Sequence, residues 1–289
     1  MQTCRGYSSA LRLAGVILGA VLSTVPVDFS TAIAGQGQAS EQRLTPRQLE
    51  IERQRQRLSS GETEDRREAV TRLGAMRHPA ASRAALSALS DPSPMVRATA
   101  AAAILSLPPE ESAGSLLPLL ADKDEFVRQQ VTYALGHTRS RSAVPGLTER
   151  LADKKDSVRA SAAVALGQIA DAAAVPALAA VLNPQSGFVA AKKNKKSRTE
   201  RNPFVLRAAA RSLGQIGDRA GLPALILVLQ DKKAEDDVRR EAASALGAIG
   251  DPAAIPALRE VLTARDPYLA QTAHEAIRKI SRLQNSRGN

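Results

Sequence analysis

The chain is 289 residues long and 44% hydrophobic, yet only 2% aromatic, with no Trp, a single Cys and a formal net charge of +11. So few rings leave little material for stacking bases, sugars or a flat cofactor, and the lone Cys4 leaves no pair for a disulfide. The positive charge would favour polyanions if gathered on one face, but much of it is spread along the chain.

Residues 1–34 read as a secretory signal. Arg5 and Arg12 precede an apolar run from Leu13 to Val27, and Ala32-Ile33-Ala34 offers a small-x-small cleavage site before Gly35. The run is 15 residues, short of the roughly 20 that a membrane-spanning helix needs. The chain is therefore expected to be exported, periplasmic or secreted, with an uncleaved N-terminal membrane anchor as the alternative. Once the signal is removed, no transmembrane segment and no cysteine remain.

Residues 35–61 form a polar linker and lead helix. Gly35 to Leu44 is Gln-rich, and Thr45-Pro46-Arg47-Gln48 has capping-box spacing with Pro at the first helical position. The helix runs to about Leu58 with a thin apolar face, and Ser59-Ser60-Gly61 ends it. It reads as an N-terminal cap or a flexible lead with a solvated face.

From residue 62 onward the chain repeats itself. One register recurs at Leu73-Gly74, Ile104-Leu105, Leu135-Gly136, Leu166-Gly167, Leu213-Gly214, Leu246-Gly247 and Ile277-Arg278, at spacings of 31, 31, 31, 47, 33 and 31. Ten residues after four of these stand Pro145, Pro176, Pro223 and Pro256, each followed two residues later by Leu. Two markers in phase at a period of this length signal stacked units.

Within a unit, Val158, Ala162, Ala165, Leu166 and Ile169 form one helical stripe, dominated by small residues that allow close helix approach. Asp171, Asp218 and Asp251 stand where an N-cap belongs, and Gly217 and Gly250 where a left-handed residue ends the preceding helix. Each unit is therefore a helical hairpin, helix A then helix B. The units run roughly 62–91, 92–122, 123–153, 154–184, 202–231 and 234–264, and a polar helix at 266–283 closes the array before a disordered tail at 284–289.

The pattern D…VRxxAxxALGxIGD…AVPAL resembles HEAT-like repeats of the phycobilisome lyase type. Its Val-Arg dipeptide stands at Val96-Arg97, Val127-Arg128, Val158-Arg159 and Val238-Arg239, is displaced at Val205-Leu206-Arg207, and is missing at Leu269-Ala270. The resemblance covers residues 62–283. It implies an all-α, right-handed α-solenoid, or superhelix, of about six HEAT-like hairpins plus a C-terminal capping helix. For function it implies scaffolds, inhibitors and bilin-attaching proteins alike.

The long spacing marks a basic insert at about 185–201. It holds Lys192, Lys193, Lys195, Lys196, Arg198 and Arg201 against Glu200, with Gly187-Phe188-Val189 as an apolar foothold. Either this is a solvated loop or it binds an anionic envelope polymer, a lipid surface or an acidic protein. An exported chain has no use for a nuclear import signal, and nucleic acid is not an expected partner.

Catalytic convergence is not visible. His78, His137 and His274 occupy different columns of the repeat, and the glycines sit at helix ends rather than in a phosphate loop. Asp91, Asp122 and Asp153 each precede Arg97, Arg128 and Arg159 by six residues, a once-per-unit ladder that reads as architecture capping helices and bridging units. No catalytic residue, metal ligand or cofactor is assigned.

Helix B carries one distinctive column. Ala179, Ala180, Ile226 and Leu227 are apolar where the flanking units have Thr148-Glu149 and Arg259-Glu260. With the B helices lining a concave face, these four would form a partner-binding strip beside the insert, unless the insert folds over and buries it. The expected function is an exported, non-enzymatic protein-binding scaffold or adaptor. The alternatives are a bilin lyase-like enzyme or accessory, and polyanion or membrane-surface binding through the basic insert.

Overall fold

The computed structural model describes residues 44–183 and 202–287. Fourteen α-helices are placed among them: α1 (Pro46–Arg57), α2 (Thr63–Ala75), α3 (Pro79–Ala85), α4 (Pro94–Ala103), α5 (Pro109–Leu116), α6 (Glu125–Thr138) and α7 (Val144–Arg150); then α8 (Asp156–Ile169), α9 (Val175–Leu182), α10 (Pro203–Ile216), α11 (Leu222–Gln230), α12 (Asp236–Ile249), α13 (Ile255–Glu260) and α14 (Pro267–Arg287). Short 3₁₀ turns precede or extend the B helices, and no strand occurs among the described residues. The A helices α2, α4, α6, α8, α10, α12 and α14 each pack on the next, and B helices lie against the A helix of the following unit. This is the all-α solenoid expected from the period.

The sequence markers are the core. Leu73, Leu135, Leu166, Leu213 and Leu246 are fully buried, as are the helix B leucines Leu147, Leu178, Leu225 and Leu258. Each contributes about 1.5–3 kcal/mol by leaving water. The glycine beside each A-helix leucine serves the seam between units. A Cβ on Gly136, Gly214 or Gly247 would stand 2.8 Å from the Cα of Ala165, Ala245 or Ala276 on the next A helix. In the second unit this column holds Leu105, and α4 ends at Ala103, four residues shorter than α6, so Leu105 lies beyond the helix end, partly buried against the core.

Hairpin turns follow their local chemistry. Gly217 and Gly250 end α10 and α12 in the left-handed region at φ 74° and 75°. Asp171, Asp218 and Asp251 accept the amide two residues on, at 2.8–2.9 Å, and open the turns into the B helices. Ser140 fills that column in the third unit.

At the N-terminal end helix α1 has the capping box of Thr45 and Gln48 and is docked, the N-terminal cap of the two readings rather than the flexible lead. It packs on α2 and α3, Gln54 is fully buried, and Arg57 reaches Asp65 at 3.0 Å and Glu68 at 2.7 Å. At the other end α14 continues to Arg287 instead of stopping at 283. Residues 1–34, where the signal reading falls, lie outside the described residues. Among the described residues no helix is long and apolar enough to cross a membrane.

Candidate functional site

The edge where B helices end and A helices begin carries an arginine–aspartate ladder. Arg66, Arg97 and Arg128, near the start of α2, α4 and α6, each donate Nε and Nη2 to the carboxylate 25 residues on. The pairs are Arg66–Asp91, Arg97–Asp122 and Arg128–Asp153, at 2.7–3.0 Å. The third nitrogen, Nη1, donates to backbone carbonyls of the preceding turn: Ser60 and Gly61, Asp91 and Pro92, or Asp122 and Lys123. Each aspartate also accepts the amide two residues later, from Ser93, Asp124 or Lys155. The sequence reading of a bridging, capping ladder is thus realised, and Arg66 supplies its first rung although Asp65 occupies the valine column.

Electrostatics follow from the geometry. The hydrogen bond from Arg66 holds the Asp91 carboxyl below its ordinary value against a smaller effect of burial. At Asp122 and Asp153 burial is the largest influence and pushes upward, but the arginine, the backbone amide and nearby cations together outweigh it, and both carboxyls end low.

The ladder breaks where the insert enters. Arg159 keeps the backbone bond to the Asp153 carbonyl at 2.8 Å, but position 184 is Pro, and its guanidinium turns to Asp156 in its own helix. Burial lowers the Arg159 pKa, with the Asp153 charge opposing. In α10 the arginine's place is taken by Leu206, which is buried. The ladder resumes one position displaced, as Arg240 Nε to Asp266 at 2.7 Å. The six basic residues Lys192, Lys193, Lys195, Lys196, Arg198 and Arg201 lie outside the described residues.

Every aromatic side chain among the described residues is exposed. They are Phe126, Tyr133, Phe204 and Tyr268, all on A helices, with Phe204 72% and Tyr268 65% exposed. Phe126, Phe204 and Tyr268 share one column with the exposed Met95, the second residue of their helix, interrupted by Ser157 and Asp237. Tyr133 meets His137 edge-on at 4.4 Å between centroids and lines a shallow groove of about 370 Å³ between α6 and α8, with Val164 and Gln168. This column was legible one place before each Val of the Val-Arg motif, but its polar interruptions hid it.

The expected helix B strip is not a continuous surface. Ala180 is 1% exposed and offers nothing to a partner, and Ala179 and Ile226 are half-buried against the core. Leu227, at 47%, faces solvent. The reason is packing on two sides, since α9 and α11 lie against each other and against the following A helices, α10 and α12. His78 caps α3 by accepting the Ala80 amide, His137 lies on α6 and His274 on α14. Among the described residues no three His, Cys, Asp or Glu converge as a metal site.

Comparison with known proteins agrees with this geometry. The family model of HEAT repeats matches at residues 51–136, 113–192 and 195–278. Among solved structures, YibA of Escherichia coli is 21% identical, covers 81% of this chain and 82% of that one, and superposes with a TM-score of 0.54. An engineered protein is 21% identical over 80% of this chain and 68% of that one, with a TM-score of 0.51. The CpcE–CpcF complex of phycocyanin lyase from Nostoc is 22% identical over 87% and 99%, with a TM-score of 0.47. No curated protein matches the chain. At such identities the structures show likeness of fold alone, but the family model matches three times across the array, and the chain belongs to the HEAT-repeat family.

Proposed function

We propose that this protein is an exported, non-enzymatic scaffold that binds another protein along its A helices. The supporting observation is the placement of its aromatic residues. The core is filled by Ala, Leu, Val and Ile, while Phe126, Tyr133, Phe204 and Tyr268 are all exposed. Rings are a chain's largest apolar contributions, and apolar side chains held in water at regular positions suit a partner's surface. Export rests on the N-terminal charge, apolar run and cleavage site, and the non-enzymatic reading on three histidines in separate parts of the array.

The test is photo-crosslinking in producing cells, with a benzophenone amino acid placed in turn at Phe126, Phe204, Tyr268 and Leu227. Adducts with one protein are expected from the A-helix positions. Absence of protein adducts at all four positions would remove the scaffold reading.

A further inference from the structure

We infer that the outward face of α4, α6 and α8 binds a second copy of this chain, about a two-fold axis that passes over α6. This rests on the scaffold reading and names the occupant of one stretch of the A-helix face.

Three neighbouring helices carry a face without charge. Among the described residues, α4, α6 and α8 expose no Lys, Arg, Asp or Glu beyond their first turns. Arg97 and Arg128 are buried in the ladder, and the first-turn charges are engaged at one edge, Glu125 with Lys155 and Asp156 with Arg159. In the same columns the other A helices carry Arg67 and Glu68 on α2, Arg207 and Arg211 on α10, and Arg240 and Glu241 on α12. The uncharged stretch holds the exposed apolar side chains Met95, Phe126, Tyr133 and Val164. Between them stand amides and hydroxyls, among them Gln129, Gln130, Ser157, Ser161 and Gln168.

These properties select a second copy as the occupant. At a net charge of +11 two copies repel, and an uncharged face is where they meet without setting like charges together. A two-fold contact also sets each group near its own image. Amides and hydroxyls both donate and accept, so they pair with their image, whereas Lys or Glu would meet its like. The face is centred on α6, with α4 and α8 on either side, and the groove beside Tyr133 and Val164 gives it relief for an opposing ridge. Its size is sufficient. Helices packed at about 8–10 Å per step, with α6 and α8 of 14 residues and about 21 Å long, give a footprint of about 500–600 Å² in each copy. The total of about 1,000–1,200 Å² reaches the roughly 1,000 Å² that a specific interface needs, at the small end of the range.

The test is sedimentation velocity of the full chain from about 1 to 100 µM, where a doubling of mass is expected. Dimerisation is expected to strengthen as salt rises, because salt screens the repulsion between copies and the face has no charge of its own to lose. Tyr133→Arg is expected to weaken the dimer at least about tenfold, and Leu227→Arg, which adds the same charge on a helix B, to leave it unchanged. Circular dichroism melts confirm that both variants fold. Cys4 is the chain's only cysteine, so Cys4→Ser/Gln130→Cys reports contact at the axis. Mild oxidation is expected to link two copies of it, and not two copies of Cys4→Ser/Leu227→Cys. No doubling of mass at about 100 µM, a dimer that survives Tyr133→Arg, or equal linkage of the two cysteine variants overturns the inference. A monomer in solution together with cellular adducts to a different protein would overturn the second copy while leaving a scaffold, so the two failures are distinguishable.

Discussion

Arg128 and Asp153 form a closed fork. Nε and Nη2 of the arginine meet Oδ2 and Oδ1 of the aspartate at 2.9 and 3.0 Å, with both side chains only 4% exposed. A bidentate pair out of water is costly to break from one side, because the survivor keeps its charge without its partner. Asp153→Asn is expected to lower stability by about 3–5 kcal/mol. Glu125→Gln, which breaks the exposed Lys155–Glu125 pair, is expected to cost less than about 1 kcal/mol. Urea midpoints for the two variants check the contrast.

The same ladder sets the acid limit. Asp91, Asp122 and Asp153 have folded-state pKa values below their ordinary one, so protons bind the unfolded chain more readily. Their contribution is fully present above the unfolded value of about 4 and is lost as pH falls through the lower folded values. Thermal midpoints contributed by these groups are expected to be flat between pH 7 and 5 and to fall below about pH 4. A series of melts against pH measures this, and Asp122→Asn is expected to make the fall shallower.

The inter-unit seam makes a sharper prediction about glycines. Gly136→Ala puts a methyl against Ala165 and the Gln168 carboxamide, and is expected to destabilise by about 1–3 kcal/mol. Gly114, in the exposed face of α5, has nothing within 4 Å, and Gly114→Ala is expected to stabilise by about 0.5–1 kcal/mol. Opposite signs in guanidinium denaturation are the required outcome.

Helix B surfaces can be sorted by charge insertion. Ala180→Glu buries a carboxylate without a partner and is expected to cost more than about 4 kcal/mol, whereas Leu227→Glu is expected to stay within about 0.5 kcal/mol. Melting of the two variants separates the buried side of the column from the exposed one.

Much of the architecture was legible because it repeats. The leucine register, the Pro column, Gly217, Gly250 and the ladder aspartates each serve one local role, and a role repeated at a fixed period is visible without neighbours. What depends on two neighbours was not visible. Ala180 has the composition of a surface methyl, but contacts with the adjacent B helix and the following A helix bury it. Leu225 to Leu229 is apolar throughout, so no polar residue phases it, and the structure buries Leu225, Val228 and Leu229 while exposing Leu227. Gln54 sits in a charged, Gln-rich helix that reads as solvated, yet α2 and α3 cover it. The exposed ring column was in plain register, but Ser157 and Asp237 interrupt it, and only burial shows that its rings stand outside the core.

The most direct test of the account is Phe126→Ser/Phe204→Ser/Tyr268→Ser in the full chain, measured for both Tm and protein adducts in producing cells from a benzophenone amino acid at Tyr133. Rings kept for a partner contribute little to folding, so Tm is expected within about 2–4 °C of the parent, the shift of about 1 kcal/mol in an array this size, with the adduct lost. A Tm drop well beyond that range, or an undiminished adduct, would contradict the claim that these rings serve an outside partner.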